Sequence, residues 1–350
     1  MRILYGVQGT GNGHISRARE LAKYFAIKNV CVDYLFTGRD QNGFFDMEIF
    51  GNYHYRKGLT FYSENGQVNY LKTFKKNNYL QFLTDIFHLD LEPYDLIITD
   101  FEPVSAWAAR LRGKKVIGIG HQYAFGYNIP LSAENFISKS VLRYFAPANI
   151  SIGLHWDKFR SPILPPIIDT SLVMARRDEE PNRTVKNVLV YLPFEDQEFV
   201  QEVLATLPKY IFTIYSPDLN DHQKGNLILR KASHDMFKSD LIKTDAVICG
   251  SGFELISECL HLGLPILTKP QGGQMEQQSN AMALQELKYA TVIKELNPHK
   301  IESWCNRVVE NNIQIKLPDV AAYIVNWVCK NHREGIDDMS DELWNRTTYL

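Results

Sequence analysis

The chain has 350 residues, of which 45% are hydrophobic and 22% are charged. That composition is typical of a folded globular protein and excludes intrinsic disorder. A chain of this length exceeds one ordinary hydrophobic core, so two domains are expected. The formal net charge of -2 gives no general attraction to nucleic acid, and we predict no such partner.

The cysteines and the lengths of the apolar runs indicate the cellular compartment of the protein. There are five cysteines, and Cys31 and Cys249 lie in apolar strand-like runs, which predicts buried free thiols in a reducing environment. Neither a Cys-x-x-Cys pair nor an Asp-x-Asp stretch occurs, so we predict no metal and no other cofactor. The apolar run 3–7 is too short for a signal peptide, and none reaches the roughly 20 residues of a membrane span. We expect a cytoplasmic protein, with peripheral membrane contact left open.

Strand-like apolar runs alternate with helix-period stretches, which predicts parallel sheets covered by helices on both faces. In the first half, strands are predicted at 3–7, 30–36, 95–99, 115–120 and 149–152, and helices at about 15–28, 69–88, 103–112 and 132–145. In the second half, strands are predicted at 187–192, 211–215, 227–230, 246–249, 266–268 and 291–293, and helices at about 195–205, 252–262, 275–288 and 297–311.

The composition changes between residues 160 and 185. Three prolines, Pro162, Pro165 and Pro166, precede the charged run 176–181. Proline removes a backbone donor and the charges need water, so this segment is predicted to be a linker. We therefore predict an N-terminal domain at 1–160, a linker at 161–185, a C-terminal domain at 186–325 and a helical tail at 326–350 that packs back across the cleft.

A glycine-rich loop, Gly9-Thr10-Gly11-Asn12-Gly13-His14, joins the first predicted strand to the first helix. Free N–H groups at a helix start favour an anion, so Gly11, Asn12 and Gly13 are candidate phosphate-loop residues. The glycine spacing differs from the dinucleotide-binding pattern. His14 lies where α/β sheets bind ligands, and a helix start favours neutral imidazole, so His14 is a candidate general base. A capping or packing role at the turn is the alternative.

Two further polar residues follow strands predicted to end at the same edge. Asp100 closes the run 96–100, and its carboxylate could orient His14 and stabilise the protonated imidazole. Capping the helix predicted near residue 103 is the alternative role for Asp100. His121 follows the next strand and is the rival candidate for a catalytic or substrate-binding imidazole.

A second helix start, Gly250-Ser251-Gly252-Phe253-Glu254, follows the strand predicted at 246–249. Ser251 and Glu254 have the spacing of a capping box, which gives Glu254 a structural explanation. The Ser251 hydroxyl and the N–H groups of Gly252 and Phe253 suit a phosphate.

Three acidic or amide residues further along could hold a sugar nucleotide. Glu258 lies four residues after Glu254 on the same polar helix face, and its carboxylate could accept both hydrogen bonds of a ribose diol. Glu276 and Gln277 follow a glycine-containing loop and are of the types that bind sugar hydroxyls. Simple solvation of these side chains is the alternative.

The order of these residues resembles the nucleotide-sugar-binding domain of GT-B glycosyltransferases. The most similar types are the UDP-glycosyltransferases of plants and animals and the bacterial N-acetylglucosaminyltransferase that makes lipid II. The matching positions are Gly252, Glu258, Gly263-Leu264-Pro265, Glu276-Gln277 and Asn280-Ala281. In the first half, Gly13-His14-Ile15 matches the Gly-His that carries the proposed base of the inverting enzymes. The chain departs from the pattern at Gly250-Ser251, where many relatives have a histidine, and at Leu255, where they have Ser or Thr.

The resemblance implies an α/β protein of two Rossmann-like domains facing across a cleft, with a C-terminal helix crossing back to the first domain. It implies sugar transfer, without a metal, from a nucleoside diphosphate sugar to a hydroxyl acceptor, with a UDP-sugar as the expected donor and inversion as the expected outcome. The acceptor stays open between a sugar, a lipid-linked molecule and a small molecule.

The resemblance also implies a role for each site residue. The implied roles are general base for His14, orientation of that base for Asp100, diphosphate binding for Ser251, Gly252 and Phe253, ribose binding for Glu258, and donor-sugar binding for Glu276 and Gln277.

Three other functions remain open. A sugar-nucleotide epimerase or hydrolase would need no second hydroxyl substrate. A nicotinamide oxidoreductase would use the first glycine loop, and a non-catalytic nucleotide-sugar-binding protein would hold the donor without turnover. The aromatic and basic stretch 53–87 could line an acceptor groove or contact a membrane, with ordinary packing as the alternative.

Overall fold

The computed structural model describes residues 1–64, 67–132, 144–174, 185–307, 313–330 and 335–350. Two largely parallel sheets dominate it, one in each half of the chain. The first has six strands in the spatial order His54–Tyr55, Cys31–Thr37, Arg2–Gln8, Leu96–Asp100, Val116–Gly120 and Ile150–Gly153. The second has seven strands in the order His222–Lys224, Leu227–Lys231, Ile211–Ser216, Asn187–Tyr191, Ala246–Gly250, Ile266–Lys269 and Thr291–Val292.

Both sheets have the strand order of a Rossmann domain. Numbered within each sheet by chain order, and leaving aside the antiparallel edge strand His222–Lys224, the spatial order is 3-2-1-4-5-6. The strand order reverses between the first and fourth strands, and ligands bind outside the carboxyl ends of the strands at that point. The predicted α/β fold of two Rossmann-like domains is therefore confirmed, and each domain offers one such crevice.

Helices connect the strands and cover both sheets. Among the described residues, the helices of the first half are Asn12–Ile27, Tyr70–Lys76, Tyr79–His88 and Pro103–Leu111. Those of the second half are Gln197–Ala205, His234–Leu241, Phe253–Leu262, Met275–Glu286 and Pro298–Arg307, followed by Val320–Cys329 and Ile336–Asn345. Short 3-10 turns lie at Gln41–Gly43, Glu48–Phe50 and His121–Gly126, and two-residue strands pair Ser63–Glu64 with Gln67–Val68 and Ile315–Lys316 with Thr348–Tyr349.

Two helix predictions need correction. The single helix predicted at 69–88 is two helices, because the backbone is extended at Asn77 and the Asn78 side chain caps a new helix by accepting from the Gln81 N–H. Helix His234–Leu241 was not predicted at all. Most of the helix predicted at 132–145 lies outside the described residues.

The burial of the predicted linker and of one cysteine also differs from the prediction. Ile163, Leu164 and Ile167 of the proline-bearing segment are buried, because this stretch packs into the core instead of crossing solvent. The charged run 176–181 lies outside the described residues, so the domain boundaries stay predictions. Cys249 is buried as expected, but Cys31 is exposed because it is the first residue of its strand.

The C-terminal helices pack against the first half of the chain, as predicted. The Tyr24 hydroxyl donates to Asp319 at the start of helix Val320–Cys329. In helix Ile336–Asn345, Ser340 Oγ and Trp344 Nε1 both donate to the Ile163 carbonyl at 2.7 Å. The tail ends in the strand Thr348–Tyr349, which the helical prediction for 326–350 did not include.

Candidate active site

The two switch points face one shared cavity. Its volume is about 400 Å³, and its lining includes His14 from the first domain with Gly252 and Glu258 from the second. The strand Arg2–Gln8 ends just before the first loop, and Ala246–Gly250 ends just before the second. Parallel topology thus brings the two predicted helix starts to opposite sides of the same space.

His14 and Asp100 are hydrogen-bonded to each other. His14 lies in the first turn of helix Asn12–Ile27, and Asp100 is the last residue of strand Leu96–Asp100. His14 Nδ1 lies 2.7 Å from Asp100 Oδ1, with the histidine side chain 14% exposed and the aspartate fully buried. The capping role for Asp100 is wrong, because Glu102 caps helix Pro103–Leu111 by accepting from the N–H groups of Val104 and Ser105.

Arg17 completes this cluster and was not predicted. Its Nε and Nη2 donate to the two Asp100 oxygens, each at 2.7 Å, and Nη2 lies 3.1 Å from His14 Nδ1. Its Nη1 donates to Glu254 in the other domain. The only trace of this in the sequence is the i,i+3 spacing of His14 and Arg17, which places both on one helix face.

The electrostatics follow from burial and pairing. Burial alone would raise the pKa of Asp100, but Arg17 and His14 outweigh it and hold that pKa below its ordinary value. Burial raises the pKa of Glu254, and the contact with Arg17 acts in the opposite sense. Asp100 is therefore a permanent anion beneath His14 at neutral pH.

The capping box predicted for Ser251 and Glu254 is wrong. The N-cap of helix Phe253–Leu262 is Gly252, with no side-chain capping bond, and the Glu254 side chain turns to Arg17 instead. Ser251 is fully buried, and its Oγ lies 2.9 Å from Thr268 Oγ1. No side chain of the described residues caps the N–H groups at this helix start, which lines the cavity.

The glycine loop of the first domain lies directly against the second domain. A Cβ atom at Gly13 would approach Glu254 Cγ to 2.9 Å, so a side chain there would force Glu254 to shift. Asn12 Nδ2 donates to the Tyr191 hydroxyl at 3.1 Å. Gly11 is the extended N-cap residue, with open space beside it. The acidic side chain of Glu254 thus adjoins this loop. Phosphate binding by the loop stays a prediction.

His121 is held inside the protein. Its Nδ1 lies 2.9 Å from the Leu154 carbonyl oxygen and its Nε2 lies 2.7 Å from Asn280 Oδ1. The ring stacks on Phe253, with centroids 4.0 Å apart and planes 5° from parallel. Burial lowers the pKa of His121. Because both nitrogens are engaged, His121 is better suited to joining the two domains than to proton transfer.

The predicted donor residues lie on the second domain's side of the cavity. Glu258 is 5% exposed and ion-paired with Lys238 of the unpredicted helix His234–Leu241. Gln277 Oε1 accepts from the N–H groups of Ser251 and Gln271, which fixes the loop geometry. Glu276 Oε2 accepts from Gln122 Nε2 of the first domain at 3.0 Å.

Aromatic rings line the first domain's side of the cavity. Phe61, Phe101 and Phe145 all contribute to its lining. The Phe101 and Phe145 rings stack at a centroid distance of 5.0 Å, and Phe61 lies 6.2 Å from Phe145. Of these rings only Phe61 lies in the stretch 53–87, for which an acceptor groove was one alternative, and Phe101 and Phe145 were not predicted.

Two absences apply to the part of the chain that the structure describes. There, no group of three or more His, Cys, Asp or Glu side chains is arranged to hold a metal ion. No helix in those ranges is long and apolar enough to cross a membrane.

Two Rossmann-like sheets that share a cavity at their switch points define the GT-B fold. The chain matches the family description "Glycosyl transferase family 1" over residues 1–309. It belongs to that family. A stretch of 66 residues is also 38% identical to an uncharacterized glycosyltransferase of Methanosarcina acetivorans, and this match covers 19% of this chain and only 17% of the relative.

Solved structures share the fold at low identity. MurG of Acinetobacter baumannii has a TM-score of 0.57 at 14% identity, covering 94% of this chain and 99% of that one. The glycosyltransferase SsfS6 of Streptomyces sp. SF2575, complexed with thymidine diphosphate, has a TM-score of 0.56 at 12% identity and covers 99% of both chains. UGT89C1 of Arabidopsis thaliana, complexed with quercetin, has a TM-score of 0.56 at 12% identity, covering 98% of this chain and 99% of that one.

Proposed function

We propose that this protein transfers a sugar from a nucleoside diphosphate sugar to a hydroxyl acceptor with inversion at the anomeric carbon. The observation that carries the proposal is the His14–Asp100 pair, joined at 2.7 Å, beside a cavity that Glu258 and the start of helix Phe253–Leu262 also line. The base–carboxylate pair on one side suits deprotonation of the acceptor hydroxyl, and the helix start on the other suits binding of the donor diphosphate.

His14 acts as the general base. With Nδ1–H donated to Asp100, Nε2 carries the lone pair that accepts a proton. The acceptor oxygen bonds to the anomeric carbon as its proton passes to Nε2, and the bond from that carbon to the diphosphate oxygen breaks. Attack on the face opposite the departing diphosphate inverts the carbon. General-base assistance of this kind is worth about 10²–10⁴-fold in rate.

The second domain holds the donor. The N–H groups of Gly252 and Phe253 face the diphosphate, as helix starts do for phosphate anions. Ser251 is fully buried and its hydroxyl is bonded to Thr268, so the proposal assigns this contact to the backbone N–H groups. Glu258 accepts from the ribose hydroxyls while Lys238 balances its charge. Glu276 and Gln277 lie nearest the sugar. The nucleotide is UDP or dTDP; the thymidine diphosphate complex of SsfS6 supports the latter.

The acceptor side adjoins an exposed apolar surface, the docking surface, formed by Leu71, Phe74, Tyr79, Leu80, Leu83 and Phe87. Leu80, Leu83 and Phe87 share one face of helix Tyr79–His88, with Leu80 79% and Phe87 63% exposed, while Asp85 and Ile86 of the opposite face are buried. Exposed apolar patches of this kind mark interaction sites.

The docking surface is connected by hydrogen bonds to a segment that lines the cavity. Tyr62 N donates to Thr73 Oγ1 at 3.0 Å, and Asn77 Nδ2 donates to the Thr60 carbonyl at 2.9 Å. These bonds fix helix Tyr70–Lys76 against the segment that carries Phe61 into the cavity. A molecule anchored at the docking surface is therefore within reach of the active site.

An anionic membrane is the occupant that the charges favour. Lys75 and Lys76 are exposed beside Phe74, and Arg112 lies at the far end, donating to the Ile86 and Phe87 carbonyls. Each such cation contributes about 1 kcal/mol near an anionic lipid surface. A lipid-linked hydroxyl acceptor presented by that membrane suits the aromatic side of the cavity.

The proposal is tested by screening the purified protein against UDP-, dTDP- and GDP-sugars and NADH for thermal stabilisation. A sugar nucleotide at 100 times its Kd should add about 2.7 kcal/mol to the free energy of unfolding, and NADH should add nothing. Stabilisation by NADH alone would favour the oxidoreductase. Donor breakdown at the same rate with and without hydroxyl acceptors would favour the epimerase or hydrolase, and binding without any turnover would favour the non-catalytic protein.

A further inference from the structure

Arg17 is placed unusually for a cleft residue, because it contacts the base cluster and the other domain at once. It is 2% exposed, lies on the same helix as His14, and holds Asp100 through two hydrogen bonds of 2.7 Å. Its remaining terminal nitrogen contacts Glu254 on helix Phe253–Leu262, whose start faces the donor. The Arg17 guanidinium thus connects the proposed base, His14, with helix Phe253–Leu262, whose start is proposed to bind the diphosphate.

We propose that Arg17 is a positioning residue that couples docking of helix Phe253–Leu262 to the action of His14, with Glu254 as its switchable partner. The inference rests on the proposed function in one respect, the assignment of His14 as base. Arg17 adjoins the cavity lining but is 2% exposed, and its guanidinium is engaged by Asp100 and Glu254, so it acts through these carboxyl groups.

The physical reason is how one positive charge is shared. When Glu254 is in contact, the guanidinium lies between two carboxylates, and Asp100 retains negative charge to stabilise protonated His14. If the donor-side helix moves away, Arg17 pairs with Asp100 alone. The full guanidinium charge, no longer shared with Glu254, then lies 3.1 Å from His14 Nδ1, neutralises more of the Asp100 charge and disfavours protonation of the imidazole. His14 is therefore a stronger base when the domains are closed, which limits activation of water while they are open.

Other charged and titratable groups around the cluster do not duplicate this arrangement. Tyr5 and Tyr123 lie beside Asp100, and burial raises the pKa of each, so both stay neutral. Lys238 and Glu258 form their own ion pair on the donor side. On the remaining side, Glu276 lies near His121, and both bond to groups of the opposite domain.

The direct test is an NMR titration of the protein labelled with ¹³C-histidine, with the His14 signal assigned by its loss in His14→Gln. The Glu254→Gln variant is nearly isosteric and replaces the carboxyl group that contacts Arg17, whose charge the proposal requires, by a neutral amide, so the pH midpoint of His14 protonation should fall by about half a unit or more. Arg17→Gln should raise it by about one unit. Arg17→Lys keeps the charge and should restore the parental midpoint.

Two matched controls separate the coupling from general effects of burial. Arg19→Gln and Glu20→Gln remove equally buried charges from the same helix, but neither residue contacts His14 or Asp100. Both should leave the midpoint unchanged. If Arg17→Gln does not fold, Glu254→Gln alone decides. A His14 midpoint in Glu254→Gln equal to that of the parent overturns the proposal.

The titration uses no substrate, so it stands apart from the proposed function. If the midpoints shift but no sugar nucleotide is ever consumed, the coupling holds and the transferase proposal fails. If transfer occurs, the acidic limb of kcat/KM against pH should move in the same direction as the titration in each variant. Transfer with an unmoved limb in both Arg17→Gln and Glu254→Gln overturns the coupling alone.

Discussion

Asp100 is the residue on which the charge of the proposed base depends. It is fully buried yet ionised, because Arg17 and His14 hold its pKa below the ordinary 3.8. A carboxyl group whose pKa is lowered by folding stabilises the folded state when the pH is above its pKa in the unfolded chain. That stabilisation is lost as the pH falls through its pKa in the folded protein. Loss of rate between pH 5 and 7 would therefore not report protonation of Asp100.

Replacing Asp100 by Asn should lower kcat by about 10²–10⁴-fold, because the amide neither stabilises the imidazolium nor fixes its tautomer. Steady-state transfer at saturating donor measures this. Asp95→Asn is the matched control, since Asp95 lies beyond the other end of the same strand and bonds to the Arg2 N–H. A kcat within threefold of the parent in Asp100→Asn would remove Asp100 from the mechanism.

For single residues, the sequence predicted where the site residues lie better than it predicted which side chains they contact. His14 and Asp100 could be placed together because both follow strands of one parallel sheet, and such carboxyl ends meet at one edge. Arg17 and Glu254 could not, since their contact spans 237 positions and depends on how two domains dock. Ser251 was assigned a phosphate because its hydroxyl was visible in the sequence, whereas its bond to Thr268 was not.

Among the elements, helices Tyr70–Lys76 and Tyr79–His88 carry the proposed membrane contact. Replacing Leu80 and Phe87 by Ser should abolish binding to vesicles of 70% phosphatidylcholine and 30% phosphatidylglycerol, because two large apolar side chains no longer enter the lipid. Co-sedimentation measures this. Phe199→Ser changes an exposed phenylalanine of the second domain and should bind as the parent does.

The parent protein should bind these vesicles better than vesicles of pure phosphatidylcholine, and added salt should weaken the binding. Equal co-sedimentation of the Leu80→Ser, Phe87→Ser double variant and the parent would exclude the docking surface as a membrane site. Unchanged thermal unfolding of the variant checks that the helices remain folded.

Elements with strong apolar periodicity could be predicted, and those without could not. The predicted strands of both sheets lie close to their predicted positions because most are continuous buried apolar runs, whereas the edge strands His54–Tyr55 and His222–Lys224, which are not buried, were not predicted. Helix His234–Leu241 was missed because it buries only Leu241, so its sequence lacks an apolar stripe. That helix carries Lys238, so the ion pair of Glu258 was missed with it.

For the whole molecule, the important feature is that both domains close on one cavity. Asn12 bonds to Tyr191, Gln122 to Glu276, and the indole of Trp156 to Ser257 at 2.8 Å. One buried apolar cluster also runs from the first sheet through helix Phe253–Leu262 to the C-terminal helices. The sequence pattern predicted the two domains, but contacts between them depend on surfaces that no periodicity encodes.

The most direct test compares His14→Ala with Glu258→Ala in the same assays of donor binding and turnover. If the two residues serve one reaction from opposite domains, His14→Ala should lower kcat by at least about a hundredfold with donor Kd nearly unchanged. Glu258→Ala should instead raise donor Kd by about tenfold or more, through loss of charged hydrogen bonds to the ribose. Full turnover in His14→Ala, or unchanged donor affinity in Glu258→Ala, would contradict the account.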